Sequence, residues 1–353
     1  MNWFGNRESG GYSSCRESGI EGLRLICILG IIVMHTFGSY RAAARGLNLA
    51  LGVLINSIFN MGVSIFGLIS GYFEVKESYK KVINLWLWCL FYSVLSTVIY
   101  SIGLRQINYK DIIKSLLPIS SGKYWYITAY IIIIIIFSRF LNLAPRKLSK
   151  KDFGYLICLM FFLFAVIPTF CYFHVMNDGG KGLMNMILMY YIGRYIRLYG
   201  INEKRTIVIG AASIAIEFLL NLMMTFFILK DHGVIALFAR DCSIFIIFGS
   251  IAVFLLAKNK KFHSNKINRI SAHIFAVYLF EGAFRALLEC FINLTEYVSY
   301  WYFCLVIFTY SIVVLVGCIV VDIVCRNILT KPLERVESFI EKKIKKLLDE
   351  YVI

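Results

Sequence analysis

Two ionisable residues, Arg24 and His35, have the types and the spacing that chemistry at a membrane would require. They are eleven residues apart in an apolar segment, so on an α-helix they share one face and lie about 16 Å apart along the axis. A guanidinium binds phosphate well, whereas an imidazole titrates near neutral pH and can act as a base. One helix face could therefore hold the anionic end of a long donor and deprotonate an acceptor near the other end.

A structural interpretation explains the same two residues equally well. Arg24 would then be a positively charged anchor at the cytoplasmic membrane surface, and His35 would hydrogen-bond to carbonyl groups of neighbouring helices. The spacing alone does not separate the two interpretations.

The whole chain is unusually apolar. Of its 353 residues, 59% are hydrophobic and 16% are charged, compared with about 45–50% and 25% in soluble domains. This composition excludes a water-soluble enzyme and a disordered chain. A bilayer core of about 30 Å needs about 20 helical residues, and we predict an all-α, polytopic membrane protein with ten such spans. The predicted spans are 21–38, 49–73, 82–103, 124–141, 154–173, 183–199, 206–229, 235–257, 270–292 and 300–325.

The distribution of positive charge predicts the orientation. Of the 37 Lys and Arg residues, 27 fall on the side of the N-terminus and ten on the other side. Because cytoplasmic loops carry the excess of Lys and Arg, both termini are predicted to be cytoplasmic. The net charge of +16 is then a topology signal, and we expect no nucleic-acid partner.

The predicted domains follow from these spans. Residues 1–20 form a cytoplasmic N-terminal tail, residues 21–325 form the transmembrane domain, and residues 326–353 form a cytoplasmic tail. Apolar residues recur at helical spacing in the last segment among several lysines, which predicts an amphipathic helix on the inner leaflet. A cleaved signal peptide is disfavoured, because His35 interrupts the first apolar run and nine more spans follow.

Other candidates are weaker. Trp125 and Tyr124 could stack on a sugar ring, although aromatic residues at this depth are also typical of a membrane-interface belt. The ten cysteines form no paired motif and the histidines are not at ligand spacing, so we expect no metal site.

Several segments resemble the acyltransferase 3 family of membrane acyltransferases. The segment from Glu21 to His35 resembles its Arg-x10-His signature, and four later segments are similar to further motifs of the family. They are 66–73, the basic stretch 76–81, 122–130 and 189–195. The resemblance implies transfer of an acyl group, commonly acetyl from acetyl-CoA, to a carbohydrate hydroxyl. It also implies that His35 is the catalytic residue and that Arg24 is needed for donor use.

The chain departs from the family at Glu281. The segment 271–281 looks like a ninth-span motif that often ends in histidine, and Glu281 occupies that place. Either Glu281 takes over a polar role, or the position is not catalytic and only lines the pore. Arg285 lies four residues later, so a structural ion pair is a third interpretation.

Together these observations predict an O-acyltransferase, most simply an O-acetyltransferase, of the plasma or bacterial cytoplasmic membrane. It would move an acyl group from cytoplasmic acyl-CoA to a hydroxyl of a surface polysaccharide or its lipid-linked precursor. His35 would act as general base or acyl carrier, Lys80 and Lys81 would assist Arg24 with the donor phosphates, and Trp125, Tyr124 and Glu281 would face the acceptor. The expected partners are the lipid bilayer and a carbohydrate, and a homo-oligomer is compatible with the sequence. The alternative is a transporter or flippase of lipid-linked sugars, with Arg24, Glu281 and Arg285 along its path.

Overall fold

A computed structural model describes residues 17–104, 108–133, 138–171, 178, 180–228, 234 and 236–351. Every regular element in these ranges is a helix, and they contain no strand. The all-α prediction is therefore confirmed for the described part of the chain. Most of the predicted tail 1–20 and the last two residues lie outside it.

Fifteen α-helices occur in the described ranges. Short π-helical turns at Phe162–Val166 and Met224–Ile228 continue two of them, and a 3-10 turn at Leu294–Tyr297 precedes the last. The helices are α1 (Ser18–Gly38), α2 (Gly46–Phe59), α3 (Met61–Tyr72), α4 (Tyr79–Leu104), α5 (Tyr109–Leu116), α6 (Trp125–Ile132), α7 (Ser138–Lys147), α8 (Lys150–Phe161), α9 (Ile167–Phe170), α10 (Leu183–Tyr199), α11 (Glu203–Met223), α12 (Ile244–Lys258), α13 (Asn265–Ser271), α14 (Ile274–Glu289) and α15 (Phe303–Tyr351).

Six helical segments of the described chain are long and apolar enough to cross a membrane. They are Ser18–Gly38, Gly46–Tyr72, Tyr79–Gly103, Lys150–Phe170, Glu203–Ile228 and Phe303–Ile344. A seventh arises if α13 and α14, which meet at a bend of 54°, form one broken span. The remaining predicted spans coincide with shorter helices, since α10 has 17 residues and α12 has 15. Predicted span 124–141 falls on α6 and α7, with residues 134–137 outside the described ranges.

Two predicted spans have different internal structure from the continuous helices that were expected. The span 49–73 is divided at Asn60, whose side-chain amide donates to the carbonyl of Ala239 in a distant loop. Helix α12, which falls in the eighth predicted span, starts at Ile244 rather than near residue 235. The Ser243 hydroxyl accepts from the amide of Phe245 at the N-cap of this helix. Arg240, four residues before this helix, donates to the Pro168 carbonyl of α9.

The C-terminal segment is helical and continuous with the last predicted span. Helix α15 runs without a break through residue 325, where the transmembrane domain was predicted to end, and contains Pro332 in its interior. The predicted boundary between residues 325 and 326 is therefore not marked by a change of secondary structure.

The described residues cluster into two compact units. Those of Met1–Val75, Leu141–Ile274 and Asn293–Val313 form the first unit, and those of Lys76–Phe140, Phe275–Ile292 and Val314–Ile353 form the second.

The first unit is built around a glycine-mediated contact between α3 and α10. A Cβ atom on Gly71 would lie 1.9 Å from the carbonyl oxygen of Tyr190, and one on Gly193 would lie 2.2 Å from that of Leu68. Small residues let two helix backbones approach closely, as is typical of helices in membranes. Sequence motifs 66–73 and 189–195 are thus packed directly against each other.

In the second unit, buried carboxylates on α15 join this helix to α4. Tyr92 donates to Asp322 at 2.6 Å, and Asn84 donates to Glu337 at 2.8 Å. Both carboxylates are almost fully buried, so they need these partners to offset the cost of desolvation. The C-terminal half of α15 is consequently part of the packed unit.

Candidate functional site

Arg24 is buried near the start of α1 and is part of a polar network. Its Nη1 atom lies 2.5 Å from Oε1 of Glu21, one turn earlier, and the Ser271 hydroxyl donates to Oε2 of Glu21 at 2.6 Å. Glu21 is itself 8% exposed. The network links the Arg24 guanidinium through Glu21 to Ser271 of α13.

His35 lies in the last turn of the same helix and its side chain is exposed. Its neighbours Thr36 and Phe37 are buried, so the helix end is packed while the imidazole faces outward. An exposed imidazole is accessible to a hydroxyl and to an acyl donor, as a base or a nucleophile must be.

The face that Arg24 and His35 share is covered between them. Ile28 and Ile31 lie on this face of α1 and are 1% and 7% exposed. A Cβ atom on Gly62 of α3 would lie 3.2 Å from Ile31. A long ligand therefore could not lie along this face between the two residues.

An apolar cavity of about 330 Å³ lies beside the C-terminal half of α1. Its walls come from α1, α2 and the start of α15, and polar atoms are almost absent from its lining. Val33 is its contribution from α1. A cavity of this chemistry suits hydrocarbon and offers a sugar no hydrogen bonds.

Lys80 and Lys81 lie in the first turn of α4 in the second unit, and both have partners. The Lys80 ammonium is 3.7 Å from the buried carboxylate of Glu337. Lys81 donates to the Tyr130 hydroxyl at 3.3 Å and lies over its ring. A phosphate bound by Lys80 would therefore compete with Glu337.

Tyr124 and Trp125 have different surroundings. Tyr124 is 6% exposed, and its hydroxyl donates to the carbonyl of Leu279 on α14 at 3.1 Å. Trp125 is half-buried and packs edge-on against Tyr126. Tyr124 is thus part of the packed interior of the second unit, and Trp125 is the more accessible ring.

Glu281 forms the ion pair that its spacing to Arg285 predicted. The Arg285 Nε atom lies 2.7 Å from Oε2 of Glu281. The pair is largely buried, and it accounts for one oxygen of the residue that occupies the histidine position of the family motif.

Sequence reasoning did not find a column of tyrosines in the second unit. Tyr130, Tyr126, Tyr278 and Tyr124 follow one another with ring centroids 6.0–6.3 Å apart. Lys81 lies over the ring at one end of this tyrosine column. Tyr124, Tyr126 and Tyr130 were visible in the sequence as one motif, but Tyr278 comes from α14 and only the fold brings it between them.

Lys123 lies at the other end of the tyrosine column, over the Tyr124 ring. Its ammonium donates to the Ser93 hydroxyl at 3.1 Å and to the Ser93 carbonyl at 3.2 Å. Burial lowers the pKa of Lys123 below its ordinary value, and the nearby Asp111 carboxylate opposes this shift. Both ends of the column therefore carry a lysine.

A second feature that sequence reasoning missed joins two family-like motifs of the first unit. Glu74, just after motif 66–73, forms ion pairs with Arg194 of motif 189–195 at 2.9 Å and with Arg146 of α7 at 2.6 Å. The sequence placed Arg194 inside motif 189–195 but did not indicate a partner for it. The signal was its place inside a motif, next to the glycine that packs on α3.

Several apolar helices of membrane-spanning length indicate an integral membrane protein, and its first helix carries the candidate residues Arg24 and His35. Comparison with known families gives the same class: the profile described as an acyltransferase domain, that of the acyltransferase 3 family, matches residues 17–322. The chain belongs to this family and is a membrane acyltransferase. No curated protein and no solved structure matches it significantly.

Proposed function

We propose that the protein is an O-acetyltransferase that moves an acetyl group from cytoplasmic acetyl-CoA to a hydroxyl of a surface polysaccharide or its lipid-linked precursor. The observation that supports this proposal best is the arrangement of α1. It carries a buried, ion-paired Arg24 near one end and an exposed His35 at the other, inside the segment matched by the family.

The proposed orientation in the membrane follows the distribution of positive charge. It places ten spans in the plasma or bacterial cytoplasmic membrane, with residues 1–20 and 326–353 on the cytoplasmic side of the transmembrane domain 21–325. Arg24 is then on the side where CoA is made, and His35 lies toward the outer surface where polysaccharides are modified. The bilayer and the carbohydrate are the proposed partners.

In the proposed reaction His35 removes the proton from the acceptor hydroxyl. The hydroxyl oxygen attacks the carbonyl carbon of the thioester, the carbon–sulfur bond breaks, and the thiolate leaves and takes up a proton to give free CoA. A two-step route, in which the imidazole first accepts the acetyl group and then passes it to the hydroxyl, uses the same residue as a nucleophile.

The remaining proposed roles concern binding. Arg24, with Lys80 and Lys81, would hold donor phosphates through charge-assisted hydrogen bonds. Trp125, Tyr124 and Glu281 would face the acceptor. Since the Tyr124 hydroxyl and one oxygen of Glu281 have partners within the second unit, Trp125 is the best placed of the three to stack on a sugar.

The test compares His35→Ala with wild-type protein purified in nanodiscs that contain acceptor glycans from membrane extracts. A positioned base contributes about 10²–10⁴-fold, so transfer of radiolabelled acetyl from acetyl-CoA should fall by at least about 10²-fold. His263→Ala, an exposed histidine in the loop before α13, is the matched control and should be unchanged.

Full transfer activity in folded His35→Ala would overturn the proposed mechanism. A wild-type protein that binds glycans but consumes no acetyl-CoA would instead support a transporter.

A further inference from the structure

Three arginines lie near the end of α3 in the first unit, and two of them pair with one carboxylate. Arg146 and Arg194 both form ion pairs with Glu74, at 2.6 Å and 2.9 Å. Arg197, one turn after Arg194 on α10, donates to the Tyr72 hydroxyl at 3.1 Å and lies over the Tyr72 ring. We refer to Arg146, Arg194 and Arg197 as the arginine cluster.

The arginine cluster carries more positive charge than its resident carboxylate neutralises. Glu74 offers one negative charge to three guanidinium groups, which leaves two positive charges in excess. The Arg194 side chain is 7% exposed, and its Nε atom has no hydrogen-bond partner within the described residues. A buried donor without a partner is rare and costly, so this atom indicates an acceptor beyond the described residues.

Glu74 is held in a backbone conformation that a side chain rarely adopts. Its φ is +58°, the only positive value at a non-glycine position among the described residues. The next residue holds the loop in place, because the Val75 amide donates to the Tyr190 hydroxyl at 3.1 Å and its carbonyl accepts from Asn142 at 2.8 Å. Strain of this kind persists where the surrounding structure enforces it, and it is frequent at ligand sites.

A carboxylate between two guanidiniums marks a position suited to an anion. Phosphate carries more charge and more acceptor oxygens than a carboxylate, and arginine binds it with paired hydrogen bonds. An anion can reach the site of the Glu74 carboxylate, since the Arg146 side chain is 64% exposed and that of Glu74 is 19% exposed. The surrounding loop and helix ends belong to the side of the chain that the charge distribution assigns to the cytoplasm.

We propose that the arginine cluster binds a phosphate group of the acyl-CoA donor, and that this phosphate exchanges with the carboxylate of Glu74. The inference rests on the proposed function and assigns donor binding to residues beyond Arg24, Lys80 and Lys81. Phosphate could also come from the headgroup of an anionic lipid, and the experiment separates the two sources.

The test measures CoA binding to full-length protein by calorimetry in nanodiscs of phosphatidylcholine, which carry no net charge. Arg146→Ala removes an exposed guanidinium and should weaken CoA binding by about tenfold. Glu74→Gln removes the competing carboxylate charge and should tighten CoA binding severalfold. Arg205→Ala, an exposed arginine near the start of α11, is the matched control and should bind CoA like the wild type.

If the ion pairs had a purely structural role, Glu74→Gln would lower the thermal midpoint and leave CoA binding unchanged or weaker instead of tighter. This result would overturn the inference. Equal CoA affinity of Arg146→Ala and Arg205→Ala would overturn it as well. The inference would also be overturned if the arginine cluster interacted with phosphatidylglycerol in the nanodiscs but not with CoA. Wild-type protein that binds no CoA refutes the proposed function itself, whereas binding that ignores Arg146 refutes only the present inference.

Discussion

The residues of α1 show how a membrane protein keeps an arginine below its surface. Arg24 is compensated by Glu21, and Glu21 is in turn held by Ser271 from α13. A buried charge without a partner is far more costly than the loss of one neutral hydrogen bond. Glu21 is therefore a positioning residue for the guanidinium that the proposed function assigns to the donor.

Replacing Glu21 by Gln tests this dependence. The amide preserves size and can still accept from Ser271, but it removes the carboxylate charge that lies 2.5 Å from the buried Arg24 guanidinium, so we expect a loss of about 3 kcal/mol of stability. Ser271→Ala should cost only about 1 kcal/mol, because it removes a single hydrogen bond. The thermal midpoints of both variants in detergent provide the measurement, and a Glu21→Gln protein as stable as the wild type would contradict the interpretation.

The helices of the first unit depend on glycine where their backbones meet. Gly71 and Gly193 leave no space for a Cβ atom, since the nearest atoms are backbone oxygens that cannot move aside. In an exposed helix an alanine would instead stabilise the structure by about 1 kcal/mol relative to glycine.

Gly71→Ala should therefore separate α3 from α10 and cost at least about 3 kcal/mol. Gly154→Ala on α8 is the matched control, because its Cβ atom would meet only a tyrosine ring at an ordinary distance of 3.6 Å. That variant should be as stable as the wild type or slightly more stable. Unfolding midpoints of the two proteins give the comparison, and equal midpoints would show that the close contact contributes nothing.

The helices themselves were largely predictable from the sequence, but their irregularities were not. Apolar runs and their lengths indicated α1, α4 and α11 with ends within a few residues of those observed. The break at Asn60 depends on a carbonyl group nearly two hundred residues away in the chain, which no local pattern reveals. The burial of Ile28 and Ile31 likewise depends on a neighbouring helix. The sequence could therefore predict that Arg24 and His35 share a helix face, but not that the face between them is buried.

At the scale of the whole molecule, the orientation of the chain in the membrane determines which side each candidate residue faces. Lys150 and Lys181 are both exposed and lie on either side of the candidate span Lys150–Phe170. A single crossing must place them on opposite sides of the bilayer. The excess of positive charge on the side of Lys150 predicts that this residue is cytoplasmic.

Single cysteines at these two positions, in a cysteine-free background, test the orientation. A membrane-impermeant maleimide added to intact cells should label Lys181→Cys and should label Lys150→Cys only after the membrane is permeabilised. The reverse pattern would invert the topology and place His35 on the cytoplasmic side. Labelling of both from outside would show that the segment between them does not cross.

The left-handed backbone at Glu74 has an evolutionary consequence. Glycine would adopt that conformation without strain. Backbone geometry alone therefore favours glycine at position 74, where this chain has glutamate. Relatives with glycine or asparagine at the equivalent position would keep the turn but lose the resident carboxylate, and their arginines would stay permanently open to anions. Variation at this one position would then tune how strongly each enzyme retains its donor when the cell's supply is low.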